Sequence, residues 1–189
     1  MWKQLFIDTI KAPKQAARQV LALELDGPTI WQGLALATIL NAVVFVVTIL
    51  AFPPAAPPMV LTISPVTLAV MFFTSMSIGT ISLFWGGRIV GGIASFNDLL
   101  ALVTWLQYMR LAVQLGGFVL MIAAPSVALL LTSLALLYGV WILLNFIYEA
   151  QGFDSFGKAM ANLLLGFVGL VFIFSILISF LGFGPTGTP

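Results

Sequence analysis

The residues most able to do chemistry in this 189-residue chain are a few polar side chains between long apolar runs. Arg110 shares one broad helical face with Gln107 and Gln114, because residues three and four apart lie on the same side of a helix. Such a face could bind a substrate or a lipid headgroup. It could also carry an arginine that snorkels to the interface and pairs with Glu149 or Asp154, the interpretation that we favour. These five residues form the candidate intramembrane polar or partner site.

Composition excludes most catalytic and metal-binding chemistry. The chain has no cysteine and no histidine, so thiolate nucleophiles, imidazole metal ligands and the Ser–His pair of hydrolases cannot be built. The six carboxylates lie in loops and near termini, which leaves no proton relay at the middle of a membrane. We therefore predict a protein that is not an enzyme and has no catalytic residue, metal or cofactor. The formal net charge of +1 predicts no nucleic-acid partner.

The distribution of charge indicates which elements position the polar residues. All 13 charged residues lie in three clusters, separated or followed by uncharged runs of 61, 38 and 31 residues. A bilayer-spanning helix needs roughly 20 apolar residues, so these runs hold two, two and one spans. The sequence therefore predicts an all-α integral membrane protein, a five-span helical bundle with an N-terminal amphipathic interfacial segment. The predicted spans are about 30–52, 65–87, 103–123, 126–148 and 160–182.

The third span is the one that decides the depth of Arg110. If it ends near Ala123, before Pro125, a rise of 1.5 Å per residue places its start near Trp105. Arg110 then lies roughly 7 Å inside the span, in the third nearest the cytoplasm. Residues 96–104 are predicted to form a preceding interfacial or protruding helical segment.

Domain organisation and orientation follow from the same pattern. Residues 1–29 are predicted to be a cytoplasmic basic amphipathic segment, divided by Pro13 into two short helices that lie in the headgroup layer. Residues 30–182 form the five-span membrane domain, and 183–189 form a short outer tail. Lys and Arg are concentrated at the N-terminus and in the second and fourth connections, so we expect the N-terminus in the cytoplasm and the C-terminus outside.

The second span carries small residues at helical spacing. This is the close-approach pattern of membrane helices, and we predict that it packs against a neighbouring helix rather than binding a substrate. Its members are Ser75, Gly79, Ser82 and Gly86.

A short pattern in the second connection recurs 60 residues later in the fourth. Gly92 and Ser95 correspond to Gly152 and Ser155, and each serine precedes a span that it could cap. Asp98 follows Ser95 with the spacing of a capping box. Either the two span–connection–span units are an internal repeat related by rotation about the membrane normal, or two unrelated loops each need a glycine and a cap.

The layout resembles the Ypt-interacting protein (Yip) family, in the compact form found in alphaproteobacteria. The residues that carry the resemblance are the basic segment Ile10–Arg18 and the connections Gly91–Val103 and Gly152–Ala159. The resemblance implies a five-span protein of the bacterial inner membrane, N-terminus cytoplasmic and C-terminus periplasmic. Eukaryotic Yip proteins associate with Rab-type GTPases, but their longer acidic N-terminal region is missing here, which argues against GTPase binding.

Two functions stay open at this point. One is a non-enzymatic scaffold, accessory or assembly protein of the Yip type that acts through helix–helix and lipid contacts. The other is a small channel or facilitator for a lipid or an uncharged solute. The expected partners are membrane lipids together with other membrane-protein subunits or further copies of the chain.

Overall fold

The computed structural model describes residues 2–53 and 64–180, and within these ranges it contains seven helices and no strand. The last five helices are long and apolar enough to cross a membrane. The prediction of an all-α, five-span membrane protein is confirmed. The end of the fifth predicted span (181–182) and the tail 183–189 lie outside the described residues. The helices are α1 (Trp2–Lys11), α2 (Pro13–Leu21), α3 (Gly27–Ala51), α4 (Pro65–Val90), α5 (Phe96–Ala123), α6 (Pro125–Ala150) and α7 (Phe156–Phe180).

The helix boundaries follow from prolines and capping serines. Ser64 caps α4 by accepting a hydrogen bond from the Thr67 backbone N–H at 3.1 Å, and Pro65 occupies the first turn, where no N–H partner is needed. Ser95 and Asp98 form the predicted capping box at the start of α5, each side chain accepting from the backbone N–H of the other. We call the end of the bundle where α3, α5 and α7 begin the charged end.

Helix α5 contains both the predicted third span and the helical segment predicted before it. It is one continuous helix from Phe96, and Leu99, Leu100 and Leu102 in its first turns are buried in the core. Residues 96–104 are therefore the first turns of α5, and they pack against neighbouring helices at the charged end. That residues 96–104 precede the membrane-spanning part of α5 stays a prediction, since the length of the helix alone does not place them in a bilayer.

The tightest packing lies near the charged end. The largest side chains that are almost fully buried there include Leu34, Leu99, Phe146 and Ile147. Helix α4 packs most extensively on α7, while α5 lies between α3 and α6. Toward the other end the helices expose large apolar side chains, among them Leu136 and Ile122. Such a surface is the one that lipid covers in a multi-pass membrane protein.

The N-terminal segment forms the two predicted helices on either side of Ala12. It also packs on the bundle, because Leu5, Ala17 and Val20 are buried in the core. Helix α1 is joined to α5 by a hydrogen bond from the Trp105 Nε1–H to Thr9 Oγ1 at 2.9 Å. Helix α2 lies against α5 and α6. The segment is thus an integral part of the charged end.

The orientation can be tested with introduced cysteines, since the chain has none of its own. Ile93, between α4 and α5, is 74% exposed, and Ser126, at the start of α6, is also exposed. We expect a membrane-impermeant thiol reagent to label Ser126→Cys in intact cells and Ile93→Cys only after the inner face is opened. Labelling of Ile93→Cys from outside would contradict the orientation.

Candidate functional site

Arg110 lies near the middle of α5 and is exposed on the surface of the bundle. Its Cζ atom lies 5.4 Å from the centre of the Phe72 ring, in the half of α4 that is farther from the charged end. One turn earlier, the Gln107 carbonyl accepts a hydrogen bond from Asn41 Nδ2, at mid-length of α3. Arg110 is therefore near mid-length of the whole helix and five residues, or about 7.5 Å, beyond Trp105, whose indole N–H bonds to α1.

The predicted ion pair between Arg110 and Glu149 or Asp154 is wrong. The salt bridges within residues 2–53 and 64–180 join Arg18 to Glu149 and Lys158 to Asp154. Both carboxylates are at the charged end, whereas Arg110 lies at least three helical turns away along α5. Sequence spacing could not exclude the pairing, because it does not give the depth of one helix relative to another.

Glu149 and Asp154 instead each have a basic partner at the charged end. The pKa of the Arg18 guanidinium is raised because its Nε–H donates to the Glu149 carboxylate and because the two charges attract. The pKa of the Asp154 carboxyl is lowered by the hydrogen bond from Lys158 Nζ and by the positive charge of that group. Both pairs lie at the surface of the charged end. The first joins α2 to α6, and the second joins the first turn of α7 to the connection that precedes it.

The three polar residues of the α5 face have different surroundings. Gln107 is buried, and its Nε2 donates to the Met76 sulfur at 2.7 Å. Gln114 is partly buried, and its Oε1 has no hydrogen-bond partner in the described part of the chain. Arg110 points outward. The face thus turns from the bundle interior at Gln107 to the bundle surface at Arg110. Because Glu149 and Asp154 lie at the charged end, the five candidate residues do not form one site.

The small residues of α4 pack on α7 only in the half nearer the charged end. A side chain added at Gly169 would lie 3.1 Å from Ser82, and one at Gly86 would lie 2.9 Å from Asn162 Oδ1. Ser75 is only partly buried, and Gly79 has open space where its side chain would be. Close helix approach therefore explains Ser82 and Gly86, and it does not explain the other two members of the predicted stripe.

A residue that sequence reasoning missed connects the two loops at the charged end. Gln151 is 1% exposed, and its Oε1 accepts from the Ala94 backbone N–H at 3.2 Å. Its own carbonyl accepts from the Ile93 N–H at 3.1 Å. A side chain at Gly87 or Gly92 would overlap the Gln151 amide. In the sequence Gln151 is one polar residue between a span and a glycine, a pattern equally typical of a solvated loop.

The two connections are similar in their caps and different in their turns. Helices α5 and α7 begin at Phe96 and Phe156, and Ser155 Oγ accepts from the Lys158 N–H at 3.3 Å as Ser95 does from that of Asp98. The left-handed glycines, however, are Gly91 (φ 88°) and Gly152 (φ 63°). Gly92 does not have the conformation of Gly152, so the 60-residue offset holds for the caps and for the helix ends, Val90 and Ala150, while the left-handed glycine is shifted by one residue.

A cavity of about 570 Å³ lies between α2 and α6. Its basic lining residues are Lys11, Lys14 and Arg18, and Tyr138 and Trp141 of α6 form the opposite wall. Helix α1 is held beside this wall because the Tyr138 hydroxyl donates to the Ile10 carbonyl at 2.6 Å. No cluster of three or more potential acidic, cysteine or histidine metal ligands occurs in the two described ranges.

Comparison with known proteins agrees with this architecture. The family model of the Yip1 domain matches residues 7–180, which is nearly the whole chain and includes all five long helices. The chain belongs to the Yip1 family. No curated protein and no solved structure matches it. Together with the five apolar helices, the match shows a multi-pass membrane protein. The Yip1 family is not known as a family of enzymes.

The contact around Gln151 predicts a specific effect of adding one methyl group in this Yip1 domain. Gly87→Ala should lower the free energy of unfolding by about 2 kcal/mol, because the new carbon overlaps a buried amide. The measurement is unfolding of the purified protein by titration with a denaturing detergent in mixed micelles. Gly79→Ala is the matched control on the same helix, where open space predicts a change within about 0.5 kcal/mol.

A double variant tests whether Gln151 is the cause. Gln151→Ala alone should destabilise by about 2 kcal/mol, since it leaves the buried Ala94 N–H without its acceptor. Combined with Gly87→Ala, the total should be clearly smaller than the sum of the two effects, because the overlap no longer exists. Additive losses would contradict the assigned contact.

Proposed function

We propose that this protein is a non-enzymatic scaffold or assembly protein of the bacterial inner membrane, with its N-terminus in the cytoplasm and its C-terminus in the periplasm. It acts through helix and lipid contacts and joins another membrane protein laterally. The observation that supports this most directly is the outward-facing Arg110 at mid-length of α5, which no carboxylate within the described ranges reaches.

The free energy of an exposed charge in lipid supports a partner. An arginine inside a spanning helix costs up to roughly 2.5–3.5 kcal/mol on insertion scales, the value for the centre of the bilayer, and such residues usually face the bundle interior or a cavity. Arg110 faces outward and contacts the Phe72 ring, a contact that offsets only about 0.5–1 kcal/mol at an exposed site. A carboxylate on an adjoining helix would offset the rest.

The chain's own charges favour a different protein over a second copy. All six carboxylates of the sequence lie at the charged end or in the first 26 residues. A neighbouring copy in the same orientation would therefore present no acidic side chain at the depth of Arg110. The proposed partner is a membrane protein with an Asp or Glu inside one of its spans.

Removing the arginine tests this proposal. We expect Arg110→Gln to reduce the amount of one specific membrane protein that copurifies in native nanodiscs by about tenfold, the loss of about 1.4 kcal/mol of binding free energy. Arg110→Lys should retain the partner, and Lys3→Gln is the control for the loss of one positive charge elsewhere. The thermal midpoint should stay unchanged in all three variants, because Arg110 makes no ion pair within its own bundle.

The partner's sequence supplies the decisive second measurement. Replacing its intramembrane acidic residue by the amide should weaken copurification, and adding Arg110→Gln should weaken it no further. Self-association that depends on Arg110, or a partner without such an acidic residue, would contradict the proposal. Solute- or lipid-specific flux by the purified protein alone, altered by Arg110→Gln, would support the facilitator instead.

A further inference from the structure

We propose that the cavity between α2 and α6 is a binding site for the phosphate headgroup of an anionic phospholipid. We call it the cationic cavity and define it by Lys11, Lys14, Arg18, Tyr138 and Trp141. The inference deepens the lipid contacts of the proposed function and does not depend on a protein partner. A failed copurification experiment would therefore leave it intact.

The charges of the cationic cavity are suited to an anion. Three basic side chains line it and no acidic one does. Arg18 is paired with Glu149, while Lys11 and Lys14 form no salt bridge with any described residue. The Lys14 ammonium lies 3.7 Å from the centre of the Tyr148 ring, so that ring holds it near the cavity. Two ammonium groups are thus left for a phosphate, which lysine binds as a point charge.

The local fold holds these cations in place. Pro13 ends the hydrogen-bonding pattern of α1 and begins α2, so the chain turns where the two lysines project. The Tyr138 hydroxyl holds the Ile10 carbonyl, and the Arg18–Glu149 pair holds the other end of α2 against α6. The basic side chains therefore belong to an ordered wall rather than to a loose basic segment.

The position of the cationic cavity favours a lipid over a soluble ligand. Tyr138 and Trp141 are 42% and 47% exposed, and the neighbouring Leu134 and Leu137 on α6 are 52% and 69% exposed. The wall is thus continuous with the apolar surface that faces the bilayer. Tyr and Trp are typical of the level at which headgroups meet acyl chains, and basic pockets at that level are known lipid sites. A headgroup entering here could leave its acyl chains along α6.

The test uses the purified full-length protein in detergent micelles, titrated with dioleoyl phosphatidylglycerol or dioleoyl phosphatidylcholine and followed by native mass spectrometry of the bound lipid. We expect the anionic lipid to bind about tenfold tighter. Lys11→Gln/Lys14→Gln should weaken its binding by about 25-fold, at about fivefold for each basic residue. The thermal midpoint is measured for every variant so that folding and binding are separated.

Two further variants make the outcome specific. Lys3→Gln/Lys158→Gln removes the same charge outside the cationic cavity and should change phosphatidylglycerol binding less than about twofold. Lys11→Arg/Lys14→Arg should retain binding, because it keeps both charges. An equal loss in the control pair would overturn the site in favour of diffuse attraction, and unchanged binding in the glutamine pair would overturn it outright.

Competition distinguishes the source of the anion. Inorganic phosphate at about ten times the lipid concentration should not displace phosphatidylglycerol, because acyl-chain contact with α6 adds to the headgroup interaction. Displacement at that ratio would overturn the lipid assignment in favour of a soluble anion. Binding of an acidic peptide in a manner dependent on Lys11 and Lys14, with no lipid binding, would assign the cationic cavity to a protein segment instead.

Discussion

Gln151 is buried between the two connections at the charged end, where it bonds to the backbone of Ile93 and Ala94. Its side chain occupies space that exists only because positions 87 and 92 are glycines. Helices α4, α5 and α6 all meet at this contact, so their relative depth depends on it. In a bilayer, lipid is as apolar as the helices, and close packing with polar contacts supplies the association that apolar burial cannot. Close packing and polar contacts are both present at the charged end.

The remaining contacts between helices continue from the charged end toward the opposite end of the bundle. Helix α7 follows the fourth connection directly and lies along α4, where Ser82 and Gly86 allow a close approach to Gly169 and Asn162. Away from the charged end the helices expose leucine, valine and phenylalanine on the bundle surface. One end of the molecule is therefore a compact protein interior, and the other is a set of spans that mostly contact lipid.

Basic residues have different surroundings in these two parts of the molecule. At the charged end the basic residues of α2 lie beside the wall of α6, and one of them is neutralised by Glu149. Arg110 has no carboxylate at its level, since the acidic residues are all elsewhere in the chain. The first arrangement suits a ligand from the headgroup layer, and the second suits another protein within the membrane. Both proposals rest on basic side chains that form no salt bridge with a described residue.

The sequence by itself determined the five spans, the break at Pro13, the capping box at Ser95 and the absence of histidine and cysteine chemistry. These features depend on local propensity, on the length of apolar runs and on side-chain inventory, all of which can be counted along the chain. Only the tertiary structure decided that Gln151 is buried, that Arg110 and Glu149 lie at different depths, and that Arg18 takes the carboxylate instead. These depend on how far one helix is shifted along another. That shift is set by contacts between residues distant in the sequence, such as Gln151 with Gly87, and no local pattern records it.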